Sequence, residues 1–410
     1  MKTILVPLSV LALFAGCATV ETESRPGDVY RKASRPQVWK VLPFSPAEEV
    51  GMQPGDLVIT YNRQPVRSND EIREAQARAL GSSEEIPVVV LRKNVEVELR
   101  VPPGPLGALP VAARYPSSLA LALEDIMTRL GVFTDYDWLA ALTGESFTFT
   151  AHEDACRAWW PGGKSHVYLD AVQDVAGLEF RQVHTGDATG EAVTAIRGEL
   201  LKGRQVLVQG GWPDHRAEFW GLVTRYDQDE GLLFGYSLDA ADELPLVGDV
   251  LVAYVVELDG EWAAPDVMVR TVLTQALELA QVRSDEGWKS GLDAWNLLIV
   301  SLETVPFCPV CGEEESQACL ERLVWTMVAH KESANRFLEW MRLAVPDQAA
   351  LIDDIVGDNN AVIGKLQGMM RSGVQVGTIE DQRKLARAFL EIEVIENDLI
   401  GGYENLLGAL

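Results

Sequence analysis

The sequence predicts a multidomain α+β chain: a small β-rich unit of sandwich or barrel type with helices, then an α+β domain, then an all-α bundle. Three observations predict it. Short β runs and a helix alternate over residues 37–103. A proline- and glycine-rich stretch, Pro102 to Gly107, separates them from residues 111–258, where helices come first and strands afterwards. From residue 262 onward the apolar spacing is almost entirely helical. A length of 410 residues fits two or three domains. The net charge of −26 repels phosphate backbones, so no nucleic acid is expected as a partner.

The elements follow in order. Residues 1–16 have the layout of an export signal, with Lys2 ahead of an apolar run and small residues Ala15 and Gly16 at its end. That run is too short for a comfortable membrane span. The Phe14-Ala15-Gly16-Cys17 end resembles the lipobox of bacterial lipoproteins, with Phe14 where Leu is commoner. The resemblance implies lipidation of Cys17, an envelope location facing the periplasm, and, with Ala18 next, the outer membrane. An ordinary signal peptide with an incidental cysteine is the alternative. Residues 17–36 are polar and contain Pro26, Gly27 and Pro36, the composition of a tether.

Gln37 to Leu42 reads as a short strand. Ser45 can cap a short helix that Gly51 ends, and Pro54-Gly55-Asp56 signals a turn. Leu57 to Tyr61 is a β run, Asn62-Arg63-Gln64 a turn, and Pro65-Val66 extended. Ser68 and Glu71 form a capping box for a helix to about Leu80, with Ile72, Ala75 and Ala79 on one face. Pro87 to Leu91 and Val95 to Val101 are strands about a turn at Arg92-Lys93-Asn94. The Ser45-Pro46-Ala47 start, Gly51, Gly55-Asp56, and Asn62 with Pro65-Val66 resemble the PDZ domains of bacterial HtrA-type proteases. The resemblance implies capture of a peptide or protein segment by strand addition. Val38 and Val41 on the strand, with Ile72 and Ala75 on the helix, are the candidate groove residues. Ala33-Ser34-Arg35-Pro36 lacks the glycine-rich carboxylate cradle, which puts capture of a free C-terminus in question. No G-x-S-x-G nucleophile loop and no H-E-x-x-H accompanies this unit.

In residues 111–258, Leu119, Leu123, Ile126 and Leu130 mark a helix over 117–130, and a second short helix follows within 135–149. Strand candidates are Val206 to Gln209, Phe219 to Arg225, Leu232 to Tyr236 and Val250 to Val256. Tyr115 to Ala120, Leu142 to Phe147 and Phe219 to Asp227 resemble segments of papain-like bacteriocin-processing peptidases and butirosin-type acyltransferase N-terminal domains. That family implies a Cys at the first helix and a His opening the later strand. Here Arg114 to Ser118 and Glu218 to Trp220 stand at those places, so a thiolate–imidazole pair is absent. The enzymatic alternative needs Ser117 or Ser118 as nucleophile with Glu218 as base, and a carboxylate is a weak base for a serine unless burial raises its pKa. Ser117 also reads as a helix cap. His152, His166, His184 and His215 have no metal-ligand spacing and read as loop or surface residues.

Residues 262–410 read as five or six helices: Val267 to Val282, Gly291 to Leu302, Leu320 to Leu343, Gln348 to Ile355, Asn360 to Met370 and Asp381 to Leu399, with breaks at Gly373 and Gly377. Ser290 to Trp295 weakly extends the papain-like resemblance. Cys156, Cys308, Cys311 and Cys319 are disulfide candidates in an exported protein, with connectivity open. Structural zinc at Cys308, Cys311 and Cys319 is the alternative; otherwise no cofactor and no metal is expected. The functional expectation is a membrane-tethered, non-catalytic adaptor or scaffold, against the rival of a serine-based hydrolase or acyltransferase.

Overall fold

The computed structural model describes residues 36–41, 45–79, 82, 84–103, 106, 108–110, 114–132, 134–153, 166–186, 189–213, 219–238, 240, 242–281, 287–302, 308, 316–371, 376 and 378–410. Cys17, Cys156, His215, Glu218 and Cys311 lie outside them.

The first unit begins with β1 (Val38–Val41) and the one-turn helix α1 (Pro46–Glu49). The Ser45 hydroxyl caps α1 by accepting from the Glu48 N–H, and Pro46 needs no amide partner there. β2 (Leu57–Tyr61), β3 (Gln64–Pro65), α2 (Asn69–Ala79), β4 (Ile86–Arg92) and β5 (Val95–Val101) follow. The sheet runs β3-β2-β4-β5, all antiparallel. Its two-residue hairpin turns, Asn62-Arg63 and Lys93-Asn94, have positive φ at every position, the geometry that matches strand twist. Half of the expected capping box forms, with Glu71 N–H donating to the Ser68 hydroxyl, while the Glu71 carboxylate accepts from Arg67 N–H, one residue before the cap. Asp56, only 1% exposed, takes a two-pronged bond from Arg92 and locks the 53–56 turn onto the β4–β5 hairpin.

The unit does not stop at residue 103. Leu106 is buried in its core with Ala47, Val58, Tyr61, Val88 and Val90, and its carbonyl accepts from Ala47 N–H at 2.8 Å. β6 (Ala108–Pro110) then pairs antiparallel with β1, opposing Val41 to Ala108 and Lys40 to Leu109. The segment read as a linker thus contributes the core side chain Leu106, and the three residues that follow the segment form a strand.

The rest of the chain opens with α3 (Ser118–Arg129), α4 (Tyr136–Leu142), β7 (Thr150–His152), α5 (His166–Ala176), β8 (Leu178–Thr185) and α6 (Thr189–Leu200). β9 (Gln205–Gly210), β10 (Trp220–Asp227), β11 (Leu232–Ser237), β12 (Leu244–Pro245) and β13 (Val250–Leu258) complete an antiparallel sheet of order β12-β11-β10-β9-β13-β8. Next come α7 (Pro265–Gln281), β14 (Trp288–Ser290), which pairs back to β7, and α8 (Gly291–Ser301). The long helices α9 (Ser316–Ala344), α10 (Ala349–Arg371) and α11 (Ile379–Ala409) finish the chain.

Sheet and helices share one buried core that runs from Tyr115 to Leu406. No separate core begins near residue 260, because α7, β14 and α8 pack directly on β7 and α5. Two expected helices, over 348–355 and 360–370, are one continuous α10. The buried Asn359 and the neighbouring Asn360 bond to Asn335 on α9 where the two expected helices join. Strand β8 and helices α5 and α6 were not anticipated. Among the described residues no helix is long and apolar enough to cross a membrane.

Candidate functional site

β1 is engaged by β6 along one edge and by residues 55–58 at its start on the other. Gln37 bridges Leu57, Val38 N–H donates to the Asp56 carbonyl and Val58 N–H to that of Pro36, while β6 runs along Val38 to Val41. The Val38 side chain lies in the core, 3% exposed, while Val41 and Ile72 are half-buried against that core. Ala75 of α2 is buried and lines a shallow groove with Gln64, Pro65, Val66, Arg67, Glu71 and Arg78. Of the four candidate residues Ala75 is among those lining this groove, while Val38 lies in the core. Lys40, on the same strand, forms an ion pair with Glu332 of α9, which joins this unit to the helical body.

The second site of interest is the N-terminus of α3. Ser117 caps the helix, accepting from Ala120 N–H at 2.9 Å, and its own N–H donates to the Tyr136 hydroxyl. Ser118 is buried and accepts from the Trp220 N–H at 3.1 Å, while the Trp220 carbonyl accepts from Ser237. The start of α3 and the start of β10 thus meet through a serine hydroxyl and a backbone amide.

Glu145 is the residue that sequence reasoning missed. It hydrogen-bonds Ser117, and burial raises its pKa to about 7 against that bond. Its position depends on Gly144, whose φ of +73° and close approach to Leu279 exclude a side chain. A single ionisable residue between the apolar Leu142 and Phe147 was the available signal. Beyond it, Asp137 takes a bidentate bond from Arg336 and a third bond from Ser333, whose hydroxyl accepts from Ser146. Lys331 pairs with Glu396 at 2.9 Å, both side chains 8% exposed. His330 lies beside them, its pKa lowered to about 3 by burial and then by the Lys331 charge. These groups tie α4 and its following loop to α9 and α11.

The other predicted residues scatter. His184 is buried in β8 and bonds the Gly186 carbonyl, and His152 lies in β7 with its ring edge-on to Trp288, so neither is a loop residue. His166 starts α5. Cys308 and Cys319 are both buried. Among the described residues no group of His, Cys, Asp or Glu could hold a metal ion.

A small sheet capped by two helices, with a strand edge beside α2, is the architecture of a peptide-binding module, and a PDZ-domain family profile matches residues 38–90. Among curated proteins the chain is similar to the mitochondrial serine protease HTRA2 of Drosophila virilis and of Drosophila erecta, 32% identical in each case over 66 residues. The corresponding protein of Drosophila persimilis is 30% identical over the same length. Each match covers 16% of this chain and 15% of the relative. The shared part is thus the PDZ region.

Proposed function

We propose that this chain is a non-catalytic, lipid-anchored adaptor or scaffold of the bacterial cell envelope. Its PDZ domain takes up an extended peptide or protein segment. The observation that carries the reading is the PDZ match on residues whose fold forms the capped sheet and strand edge that strand addition needs. The remaining body is read as a papain-like domain without its catalytic pair, together with a helical domain, offering a second surface. The meeting of α3 with β10 at Ser118 and Trp220 supports the papain-like reading. The buried Ser118 hydroxyl, held by a backbone amide, supports the absence of catalysis. Anchoring rests on the Cys17 lipobox alone. Labelled palmitate should enter the parent chain and not Cys17→Ser.

Binding is tested by exposing the chain to a synthetic peptide array and recovering the peptides for mass spectrometry. Intact, retained peptides support the adaptor. The rival enzyme reading gains a candidate base in Glu145, which bonds Ser117 and titrates near neutrality. Cleaved or acylated peptides, lost with Ser117→Ala and Glu145→Gln, would establish that rival.

A further inference from the structure

We infer that the Lys40–Glu332 ion pair is an electrostatic latch that sets how the PDZ unit sits on the helical body, so that salt and charge control how the unit is presented. The inference concerns placement of the unit and goes beyond the peptide-binding reading above.

The argument starts from the two cores. Among the described residues, the PDZ unit buries its apolar side chains in one cluster, from Val38 to Leu106. The body buries its own in a second cluster, from Tyr115 to Leu406, and the two share no residue. Units with separate cores move relative to one another unless a large apolar interface opposes it. Lys40 of β1 and Glu332 of α9 cross from one unit to the other, with side chains 26% and 23% exposed. Partial withdrawal from water strengthens their attraction and still leaves it open to screening by salt.

Glu332 faces Lys40 because the cations beside it on α9 have other partners. Lys331 pairs with Glu396 of α11, and Arg336 holds Asp137 of α4 with two bonds. Those bonds, with the one from Ser333 to Asp137, fix α9 on both sides of Glu332. Lys40 is placed in turn by the pairing of β1 with β6, where it opposes Leu109. Two rigid elements thus present the opposite charges. Charge is also segregated along the chain. Residues 37–110 hold 8 of its 35 Lys and Arg and 10 of its 61 Asp and Glu, so the unit is near neutral and the remainder strongly acidic. A cation on β1 is attracted to such a body, and an anion there is repelled by the body as well as by Glu332. A single partly exposed pair is weak enough to open and close reversibly.

The test is a charge swap in the full chain. Donor and acceptor fluorophores are attached through unnatural residues at Val95 of β5 and Leu343 of α9, which are 62% and 81% exposed and so lose no packing. Single-molecule energy-transfer histograms are recorded at about 0.01 M and about 1 M salt, where the Debye length is about 30 Å and about 3 Å. The latch predicts one narrow population for the parent at low salt and a broader, shifted one at high salt. Lys40→Glu should show the released population at both. Lys40→Glu combined with Glu332→Lys should recover the parent population at low salt. The milder Lys40→Ala should lower the ratio of docked to released molecules about 1.5- to 5-fold. Thermal unfolding checks that each variant folds, and Lys40→Ala carries the test if a charge reversal does not. Unchanged histograms for folded Lys40→Glu or Lys40→Ala would overturn the inference. So would a folded double variant that stays released, or a parent already broad at low salt.

Discussion

Glu145 shows most clearly what a single residue's surroundings do. Its pKa is raised above the unfolded value, so the folded state prefers the proton. The associated stability is present below about pH 4.5 and is lost as pH rises through about 7. Glu145→Gln should therefore stabilise the protein by roughly 1–3 kcal/mol at about pH 8 and have almost no effect near pH 4. Thermal unfolding at the two pH values checks this, and a shift of equal size at both would contradict it. His330 works in the opposite sense: its folded pKa lies below the unfolded one, so stability falls as pH drops from about 6.5 towards 3. Arg336→Ala would leave the buried Asp137 with only Ser333 as side-chain partner. Denaturant unfolding should record a loss of about 2–4 kcal/mol, reduced from the fully buried case because Arg336 is partly exposed. The Ser117 cap was legible in the sequence, since a serine ahead of an apolar helical run has one simple use. Its partner Glu145 was not, because nothing local says that a residue 28 positions away folds back onto it.

At the scale of elements, spacing and punctuation explain most of what was legible. The hairpins, the capping box and α3 follow from residue types within a few positions of each other. Both PDZ hairpin turns carry non-glycine residues at positive φ, a conformation that strains an L-residue. Arg63→Gly should therefore raise stability by about 0.5–1 kcal/mol, less whatever glycine adds to unfolded-state entropy. Urea midpoints for Arg63→Gly and Arg63→Ala separate the two effects, and no gain for glycine over alanine would contradict the turn geometry. β6 was invisible because it is three residues long, ends in proline and is defined only by pairing with a strand some 70 residues earlier. The gap left between the helices over 348–355 and 360–370 closes for a related reason: hydrogen bonds between Asn335 on a neighbouring helix and Asn359 and Asn360 favour continuation.

For the whole molecule, the described residues form two buried cores: the PDZ unit with Leu106 has one, and the rest of the chain shares the other. Residues 115–406 bury one core because strands β7 and β14, from either side of the expected boundary, pair with each other. Long-range pairing of this kind leaves no local mark. The same limit applies to the functional site: the PDZ motif could be read from its turn and helix signals, whereas the engaged edges of β1 required the fold. The most direct test of the account compares peptide-array binding by the full chain with binding by a variant lacking residues 37–110, the boundary that β6 dictates. The account predicts retained, chemically intact peptides on the full chain and none on the deletion variant. Binding that survives the deletion, or peptides returned cleaved, would contradict it.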